Sequence, residues 1–172
     1  MTHSPDISAQ DATDVPTPSR QVLRQFRVIF NAVKTHFSQV EHESGLGGAQ
    51  VWALSVVAES PGIGVGQLSQ AMDIRQPTAS NLVRALVSKG LMRSERSGAD
   101  RRAVSLFVTD EALAVLGRVP GPWAGVLPHA LDALDEATLQ RLQSDLGQVI
   151  RGLAVPDVAK AAEAATTPLA QL

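Results

Sequence analysis

The spacing of apolar positions divides the chain into amphipathic segments punctuated by glycine and proline. Val22, Phe26, Ile29, Phe30, Val33, Phe37 and Val40 follow steps of three and four, which predicts a helix over 18–44 with one long apolar stripe. Thr17 is placed to cap it and Pro18 suits its first position, where the missing N–H has no intrahelical partner; Gly45 ends it. Residues 48–59 are apolar around most of a helix through Val51, Trp52, Leu54, Val56 and Val57, so this helix is expected to be central, with Ser60, Pro61 and Gly62 as its stop. A short helix over 65–72 offers Val65, Leu68 and Met72 to a core, Asp73 and Ile74 make a turn, and a further helix runs over 77–89 to Gly90.

That helix has two distinct faces. Ala79, Leu82, Val83 and Leu86 form the apolar side, while Pro77, Thr78, Asn81, Arg84 and Ser88 face the other way with Gln76 and Ser80 at the margin. Strands over 91–95 and 103–108 flank a turn carrying Ser97 and Gly98; Val104, Leu106 and Val108 share one side of the second strand, with Ala103 and Phe107 on the other. Thr109, Asp110 and Glu111 open a fifth helix with Leu113, Leu116 and Val119 inward, broken by Pro120, Pro122 and Pro128. A last helix opens at Asp135 and aligns Leu139, Leu142, Leu146, Val149, Ile150 and Leu153.

Helix, turn, helix, strand, charged turn and strand make the outline of a winged helix-turn-helix, so the fold class is mainly α with a small β ribbon, carrying extra helices at both ends. Domain limits follow: a polar tail over 1–17, one domain over 18–154 with its winged helix-turn-helix at about 48–108 and terminal helices at about 18–44 and 109–154, then an Ala-rich tail over 155–172.

Charge changes the picture most. Arg75, Arg84, Lys89, Arg93, Arg96, Arg101 and Arg102 face only Glu95 and Asp100, a local charge of +5; the whole chain is at −2, which leaves −7 for the rest. A basic segment on an acidic chain points to a polyanion meeting one face. The chain has no cysteine, which excludes disulfide frameworks, thiolate nucleophiles and thiolate metal sites. It has no apolar run long enough for a membrane span and no signal-peptide layout, so a cytoplasmic protein without a membrane partner is expected. No nucleophile–base pair, paired-acid motif or phosphate-binding glycine loop is present, so no enzyme activity and no cofactor are expected.

The stretch IRQPTASNLVRALVSKGLMRSERSGADRRAVSLFVTDEA, with its Leu-x-x-x-Gly-Leu-x-x-Arg exit over 86–93, its Asp100-Arg101-Arg102 wing and the following Leu-x-Val-Thr, resembles the MarR family of winged helix-turn-helix transcription regulators. The resemblance covers roughly residues 20–153. It implies a homodimer with interlocked terminal helices that binds double-stranded DNA, Gln76, Pro77, Thr78, Ser80, Asn81 and Arg84 lying in the major groove. It also implies Arg102 in the minor groove with Asp100 orienting the wing, while Arg101 remains an alternative by spacing. Arg75 and Arg93 are candidate phosphate contacts, with Thr78 and Ser80.

The terminal stripes agree with a dimer, since a small winged-helix core cannot cover both and burial is worth about 25 cal/mol per Å² of apolar surface; the alternative is that they cover each other in a monomer. The resemblance further implies a pocket for a small effector, often an aromatic or phenolic acid, for which His36 and Trp52 are weak candidates. A metal site at His36, Glu41, His42 and Glu43 is disfavoured, because histidines six apart do not share a helical face. Ala112, where many relatives have glycine, and the prolines from 120 to 128 depart from the family pattern. The expected function is a regulator, repressing from a pseudopalindromic operator until a ligand releases it; the alternative is a winged-helix module that binds protein.

Overall fold

The computed structural model describes residues 17–96, 104–153 and Pro168. α1 (Pro18–Ser44) ends at Gly45, whose left-handed conformation (φ 69°) lets its N–H donate to the Glu41 carbonyl. Thr17 occupies the cap, but its hydroxyl pairs with Ser19 Oγ (3.1 Å) rather than with a helix N–H. α2 (Gly48–Glu59) is the centre of the molecule: Val51, Ala53, Leu54 and Val57 are fully buried. The wide apolar circumference of this helix requires that arrangement, and α1, α3, α4, α5 and the β ribbon pack around it.

α3 (Val65–Ala71) and α4 (Gln76–Ser88) are joined by Met72, Asp73, Ile74 and Arg75. Asp73 adopts φ 50°, a conformation that aspartate tolerates better than most residues, and Ile74 N–H reaches back to the Ser69 carbonyl (2.9 Å). Pro77 therefore stands one position inside α4 rather than at its first residue, still within the turn where its missing N–H is harmless. Ala79, Leu82, Val83 and Leu86 bury the inner side of α4 as their spacing requires.

β1 (Met92–Arg96) and β2 (Val104–Val108) pair antiparallel, with Arg93 opposite Phe107 and Glu95 opposite Ser105. Leu106 is fully buried, and its N–H and carbonyl bond to Ile63 and Gly62, so the loop before α3 completes the outer edge of β2.

α5 (Asp110–Leu116) is capped by Thr109, whose hydroxyl oxygen accepts from Ala112 N–H (3.3 Å). Its inward residues are Ala112, Val115 and Leu116, with Val119 continuing the same face beyond the helix; Leu113, expected inward, is half exposed. Residues 117–125 form an irregular elbow in which Trp123 Nε1 donates to the Val119 carbonyl (3.2 Å). Pro128 does not break the chain as expected: it lies in the first turn of α6 (Val126–Asp132), where it removes no intrahelical bond. Gly125 precedes it at φ 109°, so close to α1 that a Cβ would stand 2.9 Å from Phe37 Cζ. α7 (Glu136–Gly152) is capped by Asp135, whose carboxylate accepts from the Thr138 N–H (2.9 Å) and hydroxyl (2.8 Å).

Candidate nucleic-acid interface

The burial of Ala79, Leu82, Val83 and Leu86 fixes the rotation of α4, and that rotation turns Pro77, Asn81 and Arg84 outward. Gln76 is exposed at the first turn, while Thr78 and Ser80 are half buried at the flanks. Arg75 is exposed at the residue that opens the helix. The structure thus brings seven of the expected residues, Arg75 to Arg84, onto one end and one side of a single helix. An outer surface of short polar side chains with one guanidinium can approach a base-pair edge without steric conflict.

Beside it runs a groove of about 470 Å³ between the loop before α3, the start of α4 and β2. Gly62, Gly64, Val65, Gly66 and Gln67 form one wall, Gln76 and Ser80 the second, Val104 and Ser105 the third. Gln67 and Ser105 were not singled out from sequence; the signal, three glycines spaced by two in Gly62-Ile63-Gly64-Val65-Gly66, marks backbone that another element approaches closely. Gln67 is held by its own loop, accepting from the Gly64 N–H at 3.0 Å.

Arg93 projects from β1 and is doubly held. Its Nη1 donates to Glu95 Oε1 at 2.6 Å, and its guanidinium carbon lies 5.3 Å from the centroid of the Phe107 ring. The wing residues Asp100, Arg101 and Arg102 lie outside the described residues.

Neither His36 nor Trp52 lines the groove. Trp52 packs half-buried against the core, and His36 sits on α1 edge-on to Phe37 at 5.3 Å, its buried Nε2 finding no hydrogen-bond partner among the described residues. Among the described residues no group of three or more His, Asp or Glu side chains is placed to hold a metal ion, and no helix is long and apolar enough to cross a membrane. Positive charge is less concentrated than the sum over the remainder implied: Arg20, Arg24, Arg27 and Lys34 lie exposed along α1, with no acid between Pro18 and Val40.

Comparison with known proteins places this geometry. The sequence model of the MarR family matches residues 44–103, from the end of α1 to the residue before β2. The transcriptional regulatory protein assigned to the hcr operon of Thauera aromatica is 33% identical over 66 residues, a match spanning 38% of this chain and 40% of that protein's length. A MarR family transcriptional regulator from Streptomyces coelicolor, solved in complex with DNA, superimposes with a TM-score of 0.54 at 23% identity, covering 86% of this chain and 95% of the other. MepR of S. aureus, also solved with DNA, gives 0.53 at 19% identity, covering 76% and 97%. At these identities the structural likeness speaks for the fold. The segment from the end of α1 to the residue before β2 thus resembles the MarR family in sequence, and the helices around it share the fold of solved MarR regulators.

Proposed function

We propose that this chain is a DNA-binding transcription regulator of the cytoplasm, acting as a homodimeric repressor on a pseudopalindromic operator and released by a small, aromatic ligand. The observation that carries the proposal is α4: a core-anchored inner side fixes an exposed row of Pro77, Asn81 and Arg84 within a segment of local charge +5. Its solved relatives with DNA support the same reading. Gln76, Asn81 and Arg84 read base edges, asparagine suiting adenine and arginine guanine, and each good bidentate pair contributes about 1–3 kcal/mol of discrimination. Arg75, Thr78, Ser80 and Arg93 contact phosphates, and Arg102 enters the minor groove, oriented by Asp100.

The dimer in this proposal is formed by α1 and α7. Val22, Leu23, Val28, Ile29 and Phe30 on α1 and Leu146, Val149 and Ile150 on α7 stand 37–68% exposed in the single chain, an apolar area that water penalises and a second copy would cover. His36 belongs to the same surroundings, and an effector offering a hydrogen bond to its Nε2 is the reading its missing partner favours.

The test is titration of duplex DNA from upstream of the protein's own gene. Binding is expected to weaken steeply from low to moderate salt, because each neutralised phosphate releases counterions, and Arg102→Ala is expected to lose most affinity where A·T-rich sequence flanks the site. Absent or salt-insensitive binding by the wild type overturns the proposal in favour of a winged-helix module that binds protein.

A further inference from the structure

Glu95 is out of place on a surface that meets a polyanion. Among the described residues between Arg75 and Phe107 it is the one carboxylate, against Arg75, Arg84, Lys89, Arg93 and Arg96. The strand register fixes where it points: Glu95 lies opposite Ser105 and Arg93 opposite Phe107, so all four side chains share one side of the ribbon. Ser105 lines the groove shared with Gln76 and Ser80 of α4, and Val104 lines it from the other side of the strand, so the start of β2 lies beside the reader helix. The Phe107 ring lies over the space beside Gly62, where a Cβ would meet its Cζ at 3.6 Å. Arg93 is therefore held between an aromatic ring and a carboxylate, with both charged side chains still open to solvent (61% and 54% exposed).

From this arrangement we infer that Glu95 is an internal competitor for phosphate: it occupies Arg93 in the free protein and must be displaced before Arg93 can take a DNA phosphate. The inference rests on the DNA-binding reading above. A carboxylate and a phosphodiester offer the guanidinium similar acceptor oxygens, so one exchanges for the other, and the displaced carboxylate is left beside a phosphate that repels it. The consequence is lower affinity for any duplex irrespective of sequence, because phosphate contacts carry no sequence information. Binding then depends more on the base-edge contacts of α4.

The experiment compares wild type, Glu95→Gln, Arg93→Ala and the double variant on a random duplex, by fluorescence anisotropy over a range of salt. Glutamine keeps the size and polarity of the side chain at an exposed position, so folding is preserved. Glu95→Gln is expected to bind about threefold to tenfold tighter near 0.1 M salt, with a slope of log affinity against log salt steeper by about 0.9, one additional phosphate contact. In the Arg93→Ala background the same substitution is expected to change little, the signature of two residues acting through one contact. Unchanged affinity and slope in Glu95→Gln, with salt-dependent wild-type binding intact, overturns the inference alone. A gain that persists without Arg93 also overturns it, since Glu95 would then act only as bulk charge. No binding by wild type at any salt overturns the DNA reading itself.

Discussion

In α2, Val51, Ala53, Leu54 and Val57 are fully buried inside one chain, whereas in α7 Leu146, Val149 and Ile150 are 40%, 45% and 61% exposed although their spacing is as regular. Regular spacing therefore announces that a face is to be covered, and says nothing about what covers it. The segment from α2 to β2 closes its core locally: α3, α4 and β2 pack on α2, and the loop at Gly62 and Ile63 satisfies the edge of β2. α1 and α7 leave much of their apolar surface open, the condition that the proposed dimer would resolve.

The sharpest way to break this comparison is a pair of truncations. Leu54→Ala removes a side chain with no exposure and is expected to cost about 2–5 kcal/mol in urea unfolding. Ile150→Ala, on the open side of α7, is expected to cost about 0.5 kcal/mol or less in dilute protein and more as concentration rises, because association stabilises only the associated form. Equal costs in dilute protein would show that α7 is already covered.

The boundary between the regions comes next. Gly125→Ala forces a side chain into φ 109° and against Phe37, with an expected loss of about 1–3 kcal/mol and weakened docking of α6 on α1. A neutral result would mean that α1 yields easily there.

The smallest effect concerns Asp135. The Thr138 N–H, and after it the Thr138 hydroxyl, hold its carboxyl below the usual carboxylate value of 3.8. A group lowered in the folded state stabilises above its unfolded value and loses that contribution as pH falls through the folded one. Asp135→Asn keeps a capping oxygen without the titration, so the helical circular dichroism of the variant is expected to fall less steeply below about pH 4 than that of wild type.

Element order and the inner side of α4 were legible because stripe spacing and proline or glycine stops are local signals, and α2 lies over the residues its pattern predicted. Pro128 was misread because a proline in the first turn and one inside a helix look alike until the helix start is known. Leu113 was misplaced for a related reason: over seven residues, leucines at 113 and 116 suggest one face, while the small Ala112 marks the side that meets the core. The polar row on α4 followed from its apolar complement. The clamp on Arg93 did not, because it depends on which residue of β2 lies opposite, and register is set by the whole ribbon.

Thr109 gathers three contacts at one point: its N–H donates to the Leu91 carbonyl, its hydroxyl donates to the Gly90 carbonyl, and the same oxygen caps α5. Mechanically this is a pinned joint. The exit of α4, the entry to β1 and the start of α5 are thereby tied together at a single residue.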